Sequence, residues 1–279
     1  MRTFGVELET VGLSRSDCVR ALQGVGITAG PEDYSSRGYD HWQVKPDASL
    51  RHGSGNTAEV VSRILDWDNE DHIEELRTAC NALMTAGATV NATCGLHMHV
   101  SVDDIGKKGV LWLVLLYDKY QPAIHHLLSP VRINGTGAQW CHPIPRQRYG
   151  RDTLLHAASS DSVPGFGKYS VINTGWYAER GTLEFRQRHG SVNFQKIMPW
   201  LSMIVGLVEM AGNWASDMGT PPEEWLRDGM SQESDFALLS DALKEYMDPV
   251  TWQRFTMAES VDLALADFLR QQGIGAVTS

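Results

Sequence analysis

The chain has 279 residues, enough for one large domain or two small ones, and its 42% hydrophobic and 21% charged residues are those of an ordinary folded protein, neither disordered nor fibrous. A formal net charge of −10 excludes a broad electrostatic grip on nucleic acid, which needs a surplus of Lys and Arg facing phosphate. Four cysteines (Cys18, Cys80, Cys94, Cys141) lie apart with no CxxC pair, so neither a zinc knuckle nor a disulfide framework is expected, and a reducing cytoplasm fits best.

The N-terminal MRTFGVELET lacks the apolar core of a signal peptide and reads as a strand over residues 3–11. Ser14 with Asp17 caps a short helix that runs to about Gly24. Short strands are expected at 41–45 and 57–62, separated by a Pro-, Gly- and Ser-rich loop at 46–56. Over 69–87, Ile73, Leu76, Ala79, Cys80, Leu83 and Met84 form a helical stripe that Gly87 is placed to end. A strand at 95–102 follows, then a helix over 106–128 with Pro122 inside it as an expected kink.

Residues 129–167 are rich in Pro and Gly and read as long loops with one helical turn near 152–158; loops of this length in a compact domain tend to be functional. Residues 168–176 and 180–190 form a hairpin-like pair of strands, and 193–217 a strong helix. From 221 onward the pattern is helical to about Gln272, with proline at two helix starts. The apolar runs at 110–117 and 197–210 are too short, or interrupted by Glu209, to cross a bilayer, which takes about 20 apolar residues, so no membrane partner is expected. With no repeat or composition break, the expected organisation is an α+β catalytic unit over 1–218 carrying a packed helical C-terminal extension over 219–279.

Side chains two apart on a strand share a face. In 96-LHMHVSV-102, Leu96, Met98, Val100 and Val102 form one face and His97, His99 and Ser101 the other; alone, this is equally a structural histidine pair or a ligand pair. The first strand sets Phe4, Val6 and Leu8 against Glu7 and Glu9, two like charges that repel unless a cation or basic group lies between them. The strand 182-TLEFRQR-188 puts Leu183 and Phe185 opposite Glu184, Arg186 and Arg188, and Glu59 stands among Ala58, Val60 and Val61 as a buried acid needing a partner. If these strands share a sheet, its polar face suits hard divalent cations and phosphate. No GxxxxGK[ST] loop, HExxH or GxSxG elbow competes; 165-GFGKYS-170 lacks Walker spacing, with Lys168 left as a candidate substrate or phosphate contact.

The ordered set FGVELE, WxVKPDxSL, AEVVS, CGLHMHVSV, KYSVIN and TLEFRxRxG resembles the amidoligase family of the glutamine synthetase-like carboxylate-amine ligases over about residues 3–190. The resemblance implies a curved, mainly antiparallel sheet whose concave face holds ATP and two or three divalent metals, Mg²⁺ or Mn²⁺. It implies Glu7, Glu9, Glu59, His97 and Glu184 as metal ligands, with His97 also beside the ATP phosphates and His99 in support. Arg186 would clamp phosphate, and Glu7, Glu184, Arg186 and Arg180 would carry the catalysis. Lys45, Arg132, Lys168, Arg180 and Arg188 are basic residues near the motifs for the carboxylate substrate or the triphosphate, with Arg180 ranked first. Asp47 and Ser49 match the pattern with a role open between the site and turn chemistry.

The activity so implied is ATP-dependent amide-bond formation through an acyl phosphate, between a carboxylate and an amine that are small molecules, peptides or proteins. Two alternatives stay open: a zinc hydrolase using the HxH pair with carboxylates, and a catalytically silent nucleotide-binding protein of the same fold. Self-association is compatible with the apolar helices.

Overall fold

The computed structural model describes residues 2–33, 39–144 and 148–256, so the part of the expected C-terminal helix beyond 256 lies outside the described residues. In chain order the first half comprises β1 (Thr3–Val11), α1 (Arg15–Gly24), β2 (Ala29–Pro31), β3 (Trp42–Lys45), β4 (Thr57–Val61), β5 (Leu65–Asp66), α2 (Glu70–Ala86) and β6 (Gly95–Ser101). The second comprises α3 (Gly106–His125), α4 (Pro130–Ile133), α5 (Arg148–Ser159), β7 (Ile172–Asn173), α6 (Tyr177–Arg180), β8 (Thr182–His189), α7 (Phe194–Met218), α8 (Glu223–Asp228) and α9 (Phe236–Tyr246). Residues 249–256 are also helical.

Local chemistry sets the boundaries. The Ser14 side chain accepts the Asp17 N–H and satisfies one of the unpaired donors that begin α1. Gly87, at φ 102°, closes α2 by donating its N–H to the Leu83 and Met84 carbonyls, a left-handed position that a Cβ would strain. Two expectations change in extent. The turn near 152–158 is a twelve-residue helix, α5, anchored by buried Leu154 and Ala157. The strand at 168–176 shrinks to Ile172–Asn173, because Ser170 N–H turns back onto Gly167 and the Thr174 hydroxyl bonds the Pro164 carbonyl.

The strands form one sheet in the order β2-β3-β4-β1-β6-β8-β7, with β5 also paired to β1. Only β2 and β3 pair in parallel; the other pairings are antiparallel. One face packs on the helices through Phe4, Val6, Leu8, Leu96, Met98, Val100, Leu183 and Phe185, all buried in one continuous core with residues of α2, α3 and α7. Leu226, Leu239, Leu243 and Phe255 of the C-terminal helices join the same core. No described helix is long and apolar enough to cross a membrane.

The pairing of β6 with β8 is irregular at one point. Met98 faces Phe185, but Leu96 faces Arg188, so β8 spends an extra residue at Arg186–Gln187. Beyond this bulge the alternation of β8 is reversed. That reversal brings Arg188 to the helix side, next to Gln187, which keeps the slot of Leu183 and Phe185 and accepts the Tyr117 hydroxyl at 2.9 Å while its amide group lies 3.1 Å from His125 Nε2.

Candidate active site

The face of the sheet turned away from the helices gathers the acids and histidines by register. Glu7 on β1 lies opposite His97 on β6, and Gly5 opposite His99. Glu9 lies opposite Glu59 on β4, which lies opposite Lys45 on β3. His99 lies opposite Glu184 on β8, which lies opposite Asn173 on β7. Directly opposed side chains sit about 5 Å apart at Cβ, so four central strands deliver one contiguous polar patch.

His97 Nδ1 stands 3.1 Å from Glu7 and 3.8 Å from Glu184, and its Nε2 3.7 Å from Glu9. His99 Nε2 is 3.0 Å from the other Glu7 oxygen. Glu9 accepts the backbone N–H of Gly95. Glu184 pairs with Arg186 and accepts Asn173 Nδ2 at 2.7 Å and Trp176 Nε1 at 3.3 Å. His97, Glu9 and Glu184 are each 3–4% exposed, so these contacts work in a medium where charge interactions are strong.

Three overlapping donor sets result. Ligand atoms of Glu7, Glu59 and His97 lie within 4.8 Å of one another, as do those of Glu7, His99 and Glu184, and those of Glu9, Asp47 and Glu59. The electrostatics fit a cation among them. Burial, and then the neighbouring carboxylates of Glu7, Asp47 and Glu9, raise Glu59 well above the usual carboxylate range. Burial opposes the charged form of Glu7 too, but hydrogen bonds and charge from His97 and His99 hold it well below that range. His99 is raised, its burial outweighed by Glu7. Carboxylate oxygens, joined by one imidazole in each of the two sets that contain Glu7, are the donors that hard divalent cations take.

Residues 1–208 match the model of the family described as "Putative amidoligase enzyme". The chain belongs to this family. Amidoligase membership supports an enzyme of the ligase type. Comparison with curated proteins gives no match. Among solved structures, the chain is similar to a bifunctional glutathione synthetase from Pasteurella multocida, at TM-score 0.44 and 13% identity, covering 98% of this chain and 49% of that one. It is also similar to a chain of the complex between the prokaryotic ubiquitin-like protein Pup and its ligase PafA, at TM-score 0.36 and 12% identity, covering 100% of this chain and 70% of that one. The amidoligase chain thus spans about half the length of the glutathione synthetase.

In this member of the family the basic residues divide. Arg186 reaches Glu184 and, at 3.5 Å, the Trp140 carbonyl. Arg180 ends α6 between the rings of Tyr39 and Trp176. Lys45 is buried on the polar face, and burial lowers its pKa. Two expected contacts stand elsewhere. The β8 bulge turns Arg188 to the helix side, over the Trp200 ring at 5.6 Å, so it does not share the face of Glu184 and Arg186. Lys168 is exposed beside Tyr169, and no contact joins it to the carboxylates among the described residues.

Arg132 and Asp47, both candidates from the sequence, make contacts here, and Asn173 and Trp176 join them. Buried Arg132 of α4 donates to the Arg186 carbonyl at 2.6 Å, and a Cβ at Gly95 would come within 2.8 Å of both Arg132 Nη2 and His97 Nε2, so the strand needs glycine there. Asp47 lies in one donor set, and its Oδ1 also accepts the Ser49 N–H in a turn. Asn173 and Trp176 were not legible as site residues; the only signal was their place in a stretch leading into the Glu184 strand.

Proposed function

We propose that the protein is an ATP-dependent carboxylate-amine ligase of glutamine synthetase-like catalytic fold, with a catalytic unit over 1–218, a packed C-terminal extension over 219–279 and a cytoplasmic location. The observation that supports this best is the chain of three donor sets linked through Glu7 and Glu59, with Arg186 at its edge. A substrate carboxylate oxygen attacks the γ-phosphorus of ATP, the bond to the β-phosphate oxygen breaks, and ADP leaves. The amine nitrogen then attacks the acyl carbon of the mixed anhydride, inorganic phosphate departs, and the nitrogen loses a proton to give the amide. No covalent enzyme intermediate is required.

Divalent ions, when bound, supply positive charge against the phosphoryl oxygens. Glu7, Glu9, Glu59, Glu184 and His97 would hold them, His99 would orient Glu7 through their 3.0 Å contact, and Arg186 would face the charge that grows on the transferred group. Glu184 holds Arg186 by an ion pair at Nη1, and Asn173 and Trp176 donate to the other oxygen of Glu184. The oxygen-rich donors favour this reading over a zinc hydrolase, for which imidazole and thiolate sets are typical.

The test is ADP formation by the purified protein with Mg²⁺ or Mn²⁺ and pools of carboxylates and amines. ADP that depends on both pools, and is lost in Glu7→Ala and Glu184→Ala, supports the ligase. Nucleotide-independent turnover with tightly held zinc, or ADP formation indifferent to both substitutions, overturns it.

A further inference from the structure

The bulge in β8 stands against a residue of the donor sets. Met98 pairs with Phe185 and Leu96 with Arg188, so a single residue of β6, His97, spans two of β8, Arg186 and Gln187. Bulges beside functional sites re-aim a side chain, and here the bulged chain is held in an irregular way. Arg186 donates its N–H to the Val171 carbonyl, but the Val171 N–H turns to the His142 carbonyl instead of returning the bond, and the Arg186 carbonyl is taken by Arg132 Nη2 at 2.6 Å. The backbone that carries Arg186 is thus pinned by a side chain and a loop residue where a regular ladder would otherwise hold it.

From the helix side the same bulge is pinned by Gln187. It is 1% exposed, in the slot that Leu183 and Phe185 fill with apolar side chains, and both ends of its amide are engaged. The Tyr117 hydroxyl of α3 donates to Oε1 at 2.9 Å; Nε2 can only donate, so His125 Nε2, 3.1 Å away, accepts. Burial raises Tyr117 well above the usual phenol range, and burial, with His126 beside it, lowers His125, which keeps the first a donor and the second a neutral acceptor. A leucine or methionine would fill such a slot without taking an amide out of water. What the amide adds is direction: two opposed hydrogen bonds fix Gln187 at one point of the bulge, and with it the turn of the chain at Arg186.

We propose that Tyr117 and Gln187 are positioning residues of the candidate active site, locking the bulge opposite His97 so that Arg186 is held toward Glu184 and the donor sets. The inference rests on the ligase reading for what Arg186 does. Both residues lie on the helix side of the sheet, away from the acids, and act through one stretch of backbone. His97 keeps its own place through the pairing of β6 with β1, so loosening the bulge disturbs the step that needs Arg186 and spares metal binding.

The experiment compares wild type, Tyr117→Phe and the double variant Tyr117→Phe/Gln187→Met, which takes away both partners and leaves no buried amide without one. Urea unfolding, Mn²⁺ affinity, the kcat and KM of ADP formation, and the Nε–H proton resonance of Arg186, assigned by its loss in Arg186→Lys, are measured in each. Tyr117→Phe lowers the urea midpoint and the double variant recovers it. In both, kcat falls about tenfold or more while KM and Mn²⁺ affinity stay within about threefold, and the Arg186 resonance moves. A double variant with the wild-type midpoint, kcat and resonance makes Tyr117 and Gln187 packing residues and overturns the inference. A loss of kcat that tracks the urea midpoint through the series overturns it too. If the wild type forms no ADP with any acid and amine, the ligase reading fails and the resonance alone decides: its displacement in a double variant of wild-type midpoint supports the positioning, and its constancy overturns it.

Discussion

On one side of β6, Leu96, Met98 and Val100 are fully buried in the helix-backed core; on the other, His97 and His99 share a cluster of contacts with Glu7, Glu9 and Glu184. The same seven residues of backbone serve both. The apolar side stabilises by area removed from water, at about 25 cal/mol per Å². The polar side crowds carboxylates whose repulsion burial makes worse, as the raised Glu59 records. One face holds the fold together and the other holds charge in place at a cost in stability, so substitutions should separate the two.

The largest effect on folding is expected on the apolar side. Met98→Ala removes a fully buried side chain and should lower the unfolding free energy by about 2–5 kcal/mol in urea denaturation, while Mn²⁺ affinity of the folded protein stays near wild type. On the polar side, Glu7→Gln should do the reverse. It removes the carboxylate shared by two donor sets and should cut kcat/KM for ADP formation roughly 10²–10³-fold, while loss of the charge that His97 and His99 hold in the folded state lowers the unfolding free energy by less than Met98→Ala does. If Met98→Ala lost metal as completely as Glu7→Gln, the two faces would not be separable.

The end of β8 gives a pH test of the same division. His189 faces Gly95 across the sheet, accepts the Ser129 N–H at 3.1 Å, and is lowered to about 3 by burial and then by Arg188, Lys196 and Arg132. A histidine whose folded pKa lies below its unfolded value contributes stability that is present above about pH 6.5 and lost as the pH falls toward about 3. The loss should approach, at most, about 1.4 kcal/mol per pH unit in that window. Urea denaturation at pH 7, 5.5 and 4.5 should show this slope, and His189→Gln should flatten it; an equal slope in the variant would remove His189 as the cause.

The strands that carry the site were legible because period-2 alternation in β1, β6 and β8 puts acids, histidines and arginines on one face whatever the partner strands are. What alternation could not give is the bulge. Taken at face value it aligns Arg188 with Glu184 and Arg186, whereas the extra residue at Arg186–Gln187 sends Arg188 to Trp200. A trace was present: Gln187 occupies the slot where Leu183 and Phe185 predict another apolar residue, and Tyr117 and His125 on α3 make a glutamine acceptable there. Arg132, Asn173 and Trp176 reach the site from α4, the two-residue β7 and the turn that opens α6, elements too short to show a period, so the contacts they make depend on tertiary packing that a linear pattern does not encode, even where, as for Arg132, the residue type marks a candidate.

The smallest effect and the finest test of the comparison is Glu59→Gln. Glu59 is pressed by burial and by the carboxylates of Glu7, Asp47 and Glu9, so in metal-free protein the neutral isostere removes repulsion and should raise the unfolding free energy by about 1 kcal/mol, the scale of an ordinary point substitution. Glu59 also belongs to two of the three donor sets, so the rise in thermal midpoint that Mn²⁺ gives the wild type through preferential binding to the folded state should shrink or vanish in the variant. A variant that is more stable without metal and less responsive to it would show that the acids on this face are kept for what they bind. One that is destabilised without metal, with its Mn²⁺ response intact, would instead make Glu59 part of the scaffold.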